Sequence, residues 1–155
     1  MTNFVVPTVE DIQSLLSIIV GEGLDVKEID SDPSSAMLTA TYIDDSNVLV
    51  GLCGADIHLA AYLSAALSLL PKPVADEQIK AGELNEQSAA NFYEVMNICS
   101  KLFMSDESAH LRLDKTLLGA DAQAPVDELN GEAVHKTYSM EIPNYGNGII
   151  SFAVT

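Results

Sequence analysis

The sequence predicts an α+β protein, a largely antiparallel β-sheet with two or three long helices packed on it. Three observations carry this. Alternating, hairpin-like segments occupy residues 37–53 and again 133–154. The stretch between them repeats its apolar residues at helical spacing. Hairpins, then helices, then another hairpin is the order expected of an antiparallel sheet with its helices gathered on it. The length of 155 residues is that of one domain, 1–155. It suffices to bury about 68–70% of the unfolded surface without a disulfide or a metal.

The first helix is read over residues 9–20. Thr8 offers a capping hydroxyl, and Glu10 and Asp11 favour the positive end of the helix dipole. Ile12, Leu15, Leu16 and Ile19 then form one apolar stripe, and Gly21-Glu22-Gly23 ends it. Leu24–Asp32 is ambiguous, with Val26–Ile29 its most strand-like part, and Asp32–Ser35 has turn composition. Met37–Ile43 alternates and is rich in Thr and Tyr. Asp44–Asn47 turns the chain, and Val48–Cys53 returns as a near-continuous apolar, central strand.

Asp56 is placed to cap a second helix whose stripe is Leu59, Leu63, Ala66, Leu67 and Leu70. Pro71-Lys72-Pro73 stops it, and Asp76–Ala81 adds a helical turn. A long helix follows over roughly 84–104, with Phe92, Val95, Met96, Cys99, Leu102 and Phe103 on its buried stripe. Beyond it, His110–Leu113 and Thr116–Leu118 are short strand-like pieces, and Ala120–Asn130 is a polar loop. Ala133–Ile142, the turn Pro143–Gly148 and Ile149–Val154 form the closing hairpin.

Charge narrows the partners. There are 23 acidic residues against 7 basic ones, a net charge of −16. Nucleic acids and anionic membrane surfaces are bound through Lys and Arg, so neither is an expected partner. Solubility is the plainest reading of the acidity. The longest apolar runs are far short of the about 20 residues a bilayer-spanning helix needs. Met1–Pro7 lacks the basic start of a signal peptide. Cys53 and Cys99 fit no zinc spacing, and His58, His110 and His135 are scattered, so no metal or other cofactor is expected. Both thiols are explained as small apolar side chains in a reducing cytoplasm.

No nucleophile elbow or phosphate-binding glycine motif occurs. Asp44-Asp45 and Asp106-Glu107 read as solvated turns. The chemistry-bearing candidate is Glu94-x-x-Asn97 on the long helix. At 100° per residue the two side chains project about 60° apart, nearly opposite the buried stripe. Lys101 falls between them in angle, one turn on. Every amphipathic helix has a polar face, and that is the plain alternative, leaving an unrelated acidic globular protein. Against it, Tyr93, Ile98 and Met104 lie off the stripe and bracket the pair, as a docking face requires. A helix also holds a carboxylate and an amide in fixed relation.

Leu49–Gly54 (LVGLCG), the Ala/Leu-rich helix after it, the helix carrying Glu94-x-x-Asn97 and the closing hairpin together resemble the CheC/CheX family. The resemblance runs from about Met37 to the end, with the leading helix also in place. A single ExxN resembles the one-site, CheX-like arrangement; Asp127-x-x-Asn130 lies in a predicted loop. The resemblance implies a phosphatase of the aspartyl phosphate of a CheY-type response regulator. Asn97 would position a water, Glu94 would pair with a Lys of the regulator, and Mg²⁺ would be carried by the regulator. Tyr93, Ile98 and Lys101 would contact the partner. Family members often have Ser or Asp where this chain has Ala90, and Gly where it has Tyr93 and Lys101. The added bulk supports an alternative, a non-catalytic CheX-like module that binds a regulator or signalling partner. Oligomeric state is left open, a homodimer included.

Overall fold

The computed structural model describes residues 4–30, 38–118, 129 and 134–155. The turn read at 32–35, the start of the strand at Met37, most of the loop over 120–130 and the Asp127/Asn130 spacing lie outside these residues. In chain order the elements are α1 (Val9–Val20), β1 (Asp25–Ile29), β2 (Leu38–Asp44), β3 (Leu49–Ala55), α2 (Ile57–Leu67), α3 (Lys72–Ala81) and α4 (Glu86–Cys99). A 3₁₀ turn (Ser100–Phe103), β4 (Leu111–Leu118), β5 (Val134–Ile142) and β6 (Gly146–Val154) complete them. The strands form one six-stranded sheet in the order β1-β5-β6-β3-β2-β4. Every neighbouring pair in it is antiparallel. The fold is α+β, as the sequence predicts.

The register sets one row of side chains under the helices. Tyr42 pairs with Gly51 and Gly51 with Val154; Ala40 pairs with Cys53 and Cys53 with Phe152. Tyr42, Cys53 and Phe152 are fully buried, and the central strands are buried along most of their length. Helix α2 lies directly on β6. A Cβ on Gly148 would come within 2.5 Å of the Leu59 Cβ and 2.6 Å of its Cα, so the close approach requires glycine there.

Both N-caps read from the sequence form. The Thr8 hydroxyl accepts from the Asp11 amide at 3.2 Å, and the Asp11 carboxylate accepts from the Thr8 amide at 3.1 Å, a reciprocal capping box. The Asp56 carboxylate accepts from Leu59 N at 2.8 Å and from Ile149 N at 3.2 Å, tying α2 to the last strand.

Five expectations are corrected. The turn read over Pro143–Gly148 is shorter, because β6 already begins at Gly146. The helix read over 84–104 is shorter, because α4 ends at Cys99 and tightens into the 3₁₀ turn. Helix α2 ends at Leu67, before Leu70. The helical turn at Asp76–Ala81 is the end of a full helix, α3, that already includes Lys72 and Pro73; proline within the first turn starts a helix as readily as it stops one. The two pieces at His110–Leu113 and Thr116–Leu118 are one strand. Its alternation breaks at a bulge, where Tyr42 pairs with Leu113 but Thr41 with Lys115, leaving Asp114 without a partner in the ladder.

Candidate functional site

Helix α4 starts at Asn85, whose side chain accepts from Ser88 N at 2.8 Å. The Asn85 amide in turn donates to the buried Gln78 of α3 at 2.8 Å. Phe92, Val95, Met96 and Cys99 are completely buried. Burial of the larger ones stabilises by roughly 1.5–3 kcal/mol each, so this face fixes the helix's rotation. The opposite face carries the candidate residues. Glu94 and Asn97 are both exposed, and Ala90 lies with them. Among the described residues neither the Glu94 carboxylate nor the Asn97 carboxamide bonds another side chain.

The end of α4 is held from below. The Tyr42 hydroxyl, from β2, donates to the Met96 carbonyl at 2.6 Å. In a continued α-helix that carbonyl would receive the Ser100 amide, which here turns to the Asn97 carbonyl instead. The Ser100 hydroxyl donates to the Asn97 carbonyl as well, at 2.7 Å. Phe103 packs on the Tyr42 ring with centroids 4.7 Å apart and on Phe152 at 5.7 Å. Burial pushes the Tyr42 hydroxyl well above the usual phenol range, with smaller contributions from Cys53 and Cys99, so it stays a donor. Burial likewise pushes the Cys99 thiol up to about 12 and the Cys53 thiol well above its usual range. Both cysteines are free and buried.

The flanking residues separate. Tyr93 is 39% exposed beside Asn97 on the wheel. Ile98 is half-buried on the other flank. On that same flank the Asn91 amide donates to the Ser64 carbonyl at 3.0 Å and the Ser68 hydroxyl at 2.7 Å, joining α4 to the end of α2. Lys101 lies on the 3₁₀ turn rather than on an α-helix, exposed and, among the described residues, without an ion pair. It borders a groove of about 470 Å³ together with Val5, Asp11, Leu15, Ile18 and Met104. Met104 is extended, half-buried against the core and shares the groove with residues of α1, so it does not bracket the pair as the wheel suggests. Tyr42 carries no sequence signal for its role. The exposure of Ile18, 81%, follows from its place off the α1 stripe.

Among the described residues no cluster of three or more His, Cys, Asp or Glu could hold a metal ion. No helix among them is long and apolar enough to cross a membrane. The Asp44 carboxylate is engaged within its own turn, by Ser46 N at 2.8 Å and Val48 N at 3.0 Å.

No protein-family model matches the chain. No curated protein matches it in sequence. Solved structures do match. CheX in the CheX–CheY–BeF3–Mg complex from Borrelia burgdorferi is 16% identical with a TM-score of 0.59, over 92% of this chain and 90% of that one. Thermotoga maritima FliY is 14% identical with a TM-score of 0.62, over 93% and 82%. The FliM–SpeE complex from H. pylori gives 9% identity and a TM-score of 0.59, over 94% and 80%. At these identities the likeness is one of fold, and the fold of this chain is the CheC/CheX-like fold shared by these neighbours.

Proposed function

We propose that the chain docks a CheY-type response regulator on the exposed face of α4 and accelerates hydrolysis of its aspartyl phosphate. The carrying observation is Glu94 and Asn97, both exposed, on a helix whose opposite face is fully buried. The CheX neighbour, crystallised with CheY, BeF3 and Mg, supports the choice of partner.

Hydrolysis needs a water aligned with the scissile P–O bond. The water oxygen bonds to phosphorus, the bond to the aspartyl carboxylate breaks, and the water proton leaves on phosphate. Such transfers depend mainly on positioning and charge stabilisation. The Asn97 carboxamide accepts one hydrogen bond and donates others, so it orients water without taking its proton. Good orientation is worth several kcal/mol of barrier, up to about 7–11 in the best cases. Glu94 supplies an ion pair to a cationic group of the regulator. Mg²⁺ belongs to the regulator's own phosphorylation pocket.

Tyr93 and Lys101 favour a second reading, a module that binds without hydrolysis. Both are exposed and add volume beside the pair. Incubation with a panel of phosphorylated receiver domains, following phosphate release and binding together, separates the two. The phosphatase reading expects release accelerated by the wild type but not by Asn97→Ala, with binding nearly unchanged. Binding without acceleration identifies the module, and equal rates for wild type and Asn97→Ala exclude the role given to Asn97.

A further inference from the structure

Helix α2 ends in an αL turn of the kind that glycine usually occupies. Leu69 N donates to the Ala66 carbonyl at 3.2 Å, and Leu70 N to the Ala65 carbonyl at 2.8 Å. This is the paired closure of a Schellman motif, with Leu69 at its left-handed position, φ 57°. An L side chain there is crowded against its own backbone. The other positive-φ residues described are Gly21, Gly23, Gly82, Asn47 and Asn144, the types that tolerate the conformation. Gly82 closes α3 in the same left-handed conformation. Leucine at position 69 therefore opposes the local geometry.

Packing among the described residues does little to offset this, because Leu69 is 87% exposed. The strain is imposed by neighbours pinned on both sides. The Ser68 hydroxyl accepts from Asn91, and the Leu70 carbonyl accepts from the Tyr145 hydroxyl. A strained residue fixed by its surroundings, with a large apolar group aimed at solvent, is a candidate for a contact made elsewhere.

The position says with what. Asn91, which donates to the adjoining Ser68, precedes Glu94 by three residues on α4, so the end of α2 that carries Leu69 meets α4 on the Glu94 flank of the polar pair, opposite Tyr93. At 1.5 Å rise per residue, Asn91 to Asn97 spans about 9 Å, well within one docking patch. We propose that Leu69 is an apolar anchor for the receiver domain that meets Glu94 and Asn97. It would seat in an apolar hollow beside the cation that pairs with Glu94. This rests on the reading of α4 as the receiver-docking helix.

Leu69→Gly removes the side chain and relieves the backbone, so the variant should melt higher than the wild type. Leu69→Asn keeps a residue tolerant of φ > 0 but makes it polar. Titration calorimetry against a panel of receiver domains activated with beryllofluoride and Mg²⁺ supplies the test. The expected result is at least a tenfold loss of affinity in both variants, with the Tm of Leu69→Gly raised. Wild-type affinity in both variants overturns this inference alone. Absence of binding by the wild type to every receiver overturns the reading of α4 and this inference with it.

Discussion

The Tyr42 hydroxyl occupies the place of a backbone amide: it donates at 2.6 Å to the carbonyl of Met96, between Glu94 and Asn97 in sequence. A strand thus supplies the hydrogen bond that α4 loses where it tightens at Ser100. The polar pair sits on a helix end whose shape is set from the sheet below.

Tyr42→Phe should therefore leave a buried carbonyl without its donor, at a cost of about 1–3 kcal/mol. For a chain of this size each kcal/mol lowers Tm by roughly 2–4 °C. Thermal unfolding followed by circular dichroism measures this. Unchanged stability would show that α4 holds its own end.

Glu94→Ala and Asn97→Ala should separate by what each side chain does. Removing the carboxylate weakens docking through a lost charge pair, so half-saturation of phosphate release should shift to higher regulator concentration. Removing the amide should lower the maximal rate instead. Steady-state kinetics over a range of phosphorylated regulator reads both, and identical profiles for the two variants would contradict the division of labour.

Lys101 stands exposed one turn beyond Asn97 and brings a positive charge toward a partner expected to offer its own cation to Glu94. Like charges a few ångströms apart cost about 1 kcal/mol in water and more once an interface excludes it. Lys101→Gly should raise hydrolysis several-fold, at up to about 1 kcal/mol of stability from glycine's backbone freedom. A fall in rate would mean that the ammonium faces the phosphate. No change in rate or binding would remove this face from the contact surface.

The buried thiols give a pH dependence. Their folded pKa values are raised, to about 12 for Cys99, whereas an unfolded thiol titrates at about 8.5. Below that pH both states are protonated and stability is unaffected. Above it only the unfolded chain ionises, so stability should fall steadily toward the folded pKa. Urea midpoints between pH 7 and 10 test the sign, and Cys99→Ala should flatten the slope. Neither thiol should react with a maleimide until the chain unfolds.

The parts legible in the sequence are those decided by local chemistry. The Thr8 and Asp56 caps, the α1 stripe and both hairpins follow from residues near one another in the chain. The exposure of Glu94 and Asn97 follows from the spacing of Phe92, Val95, Met96 and Cys99. The end of α4 was not legible, because Cys99, Leu102 and Phe103 satisfy α and 3₁₀ spacing alike over so few residues. The hydroxyl that takes the freed Met96 carbonyl comes from β2, far away in the sequence. Gly146 and Gly148 read as turn residues, but they lie within β6, where Tyr62 and Leu59 press against the strand. Leu69 gives only a weak sign, the lack of glycine after an apolar helix.

Strand β1 finds its pairing partner in β5, with Asp25 against Glu141. During synthesis β1 is made before the other strands, yet it has no strand to pair with until β5 has emerged. The β2–β3 hairpin and the helices after it meet their partners much sooner, so the half bearing Tyr42 and α4 can assemble ahead of the ends. Pairings this distant slow folding. A nascent chain halted before Val134 would present the β6-facing side of β3 as an open edge, ready to recruit a strand from another copy. The β5–β6 hairpin is therefore both the lock on β1 and the guard against misassembly.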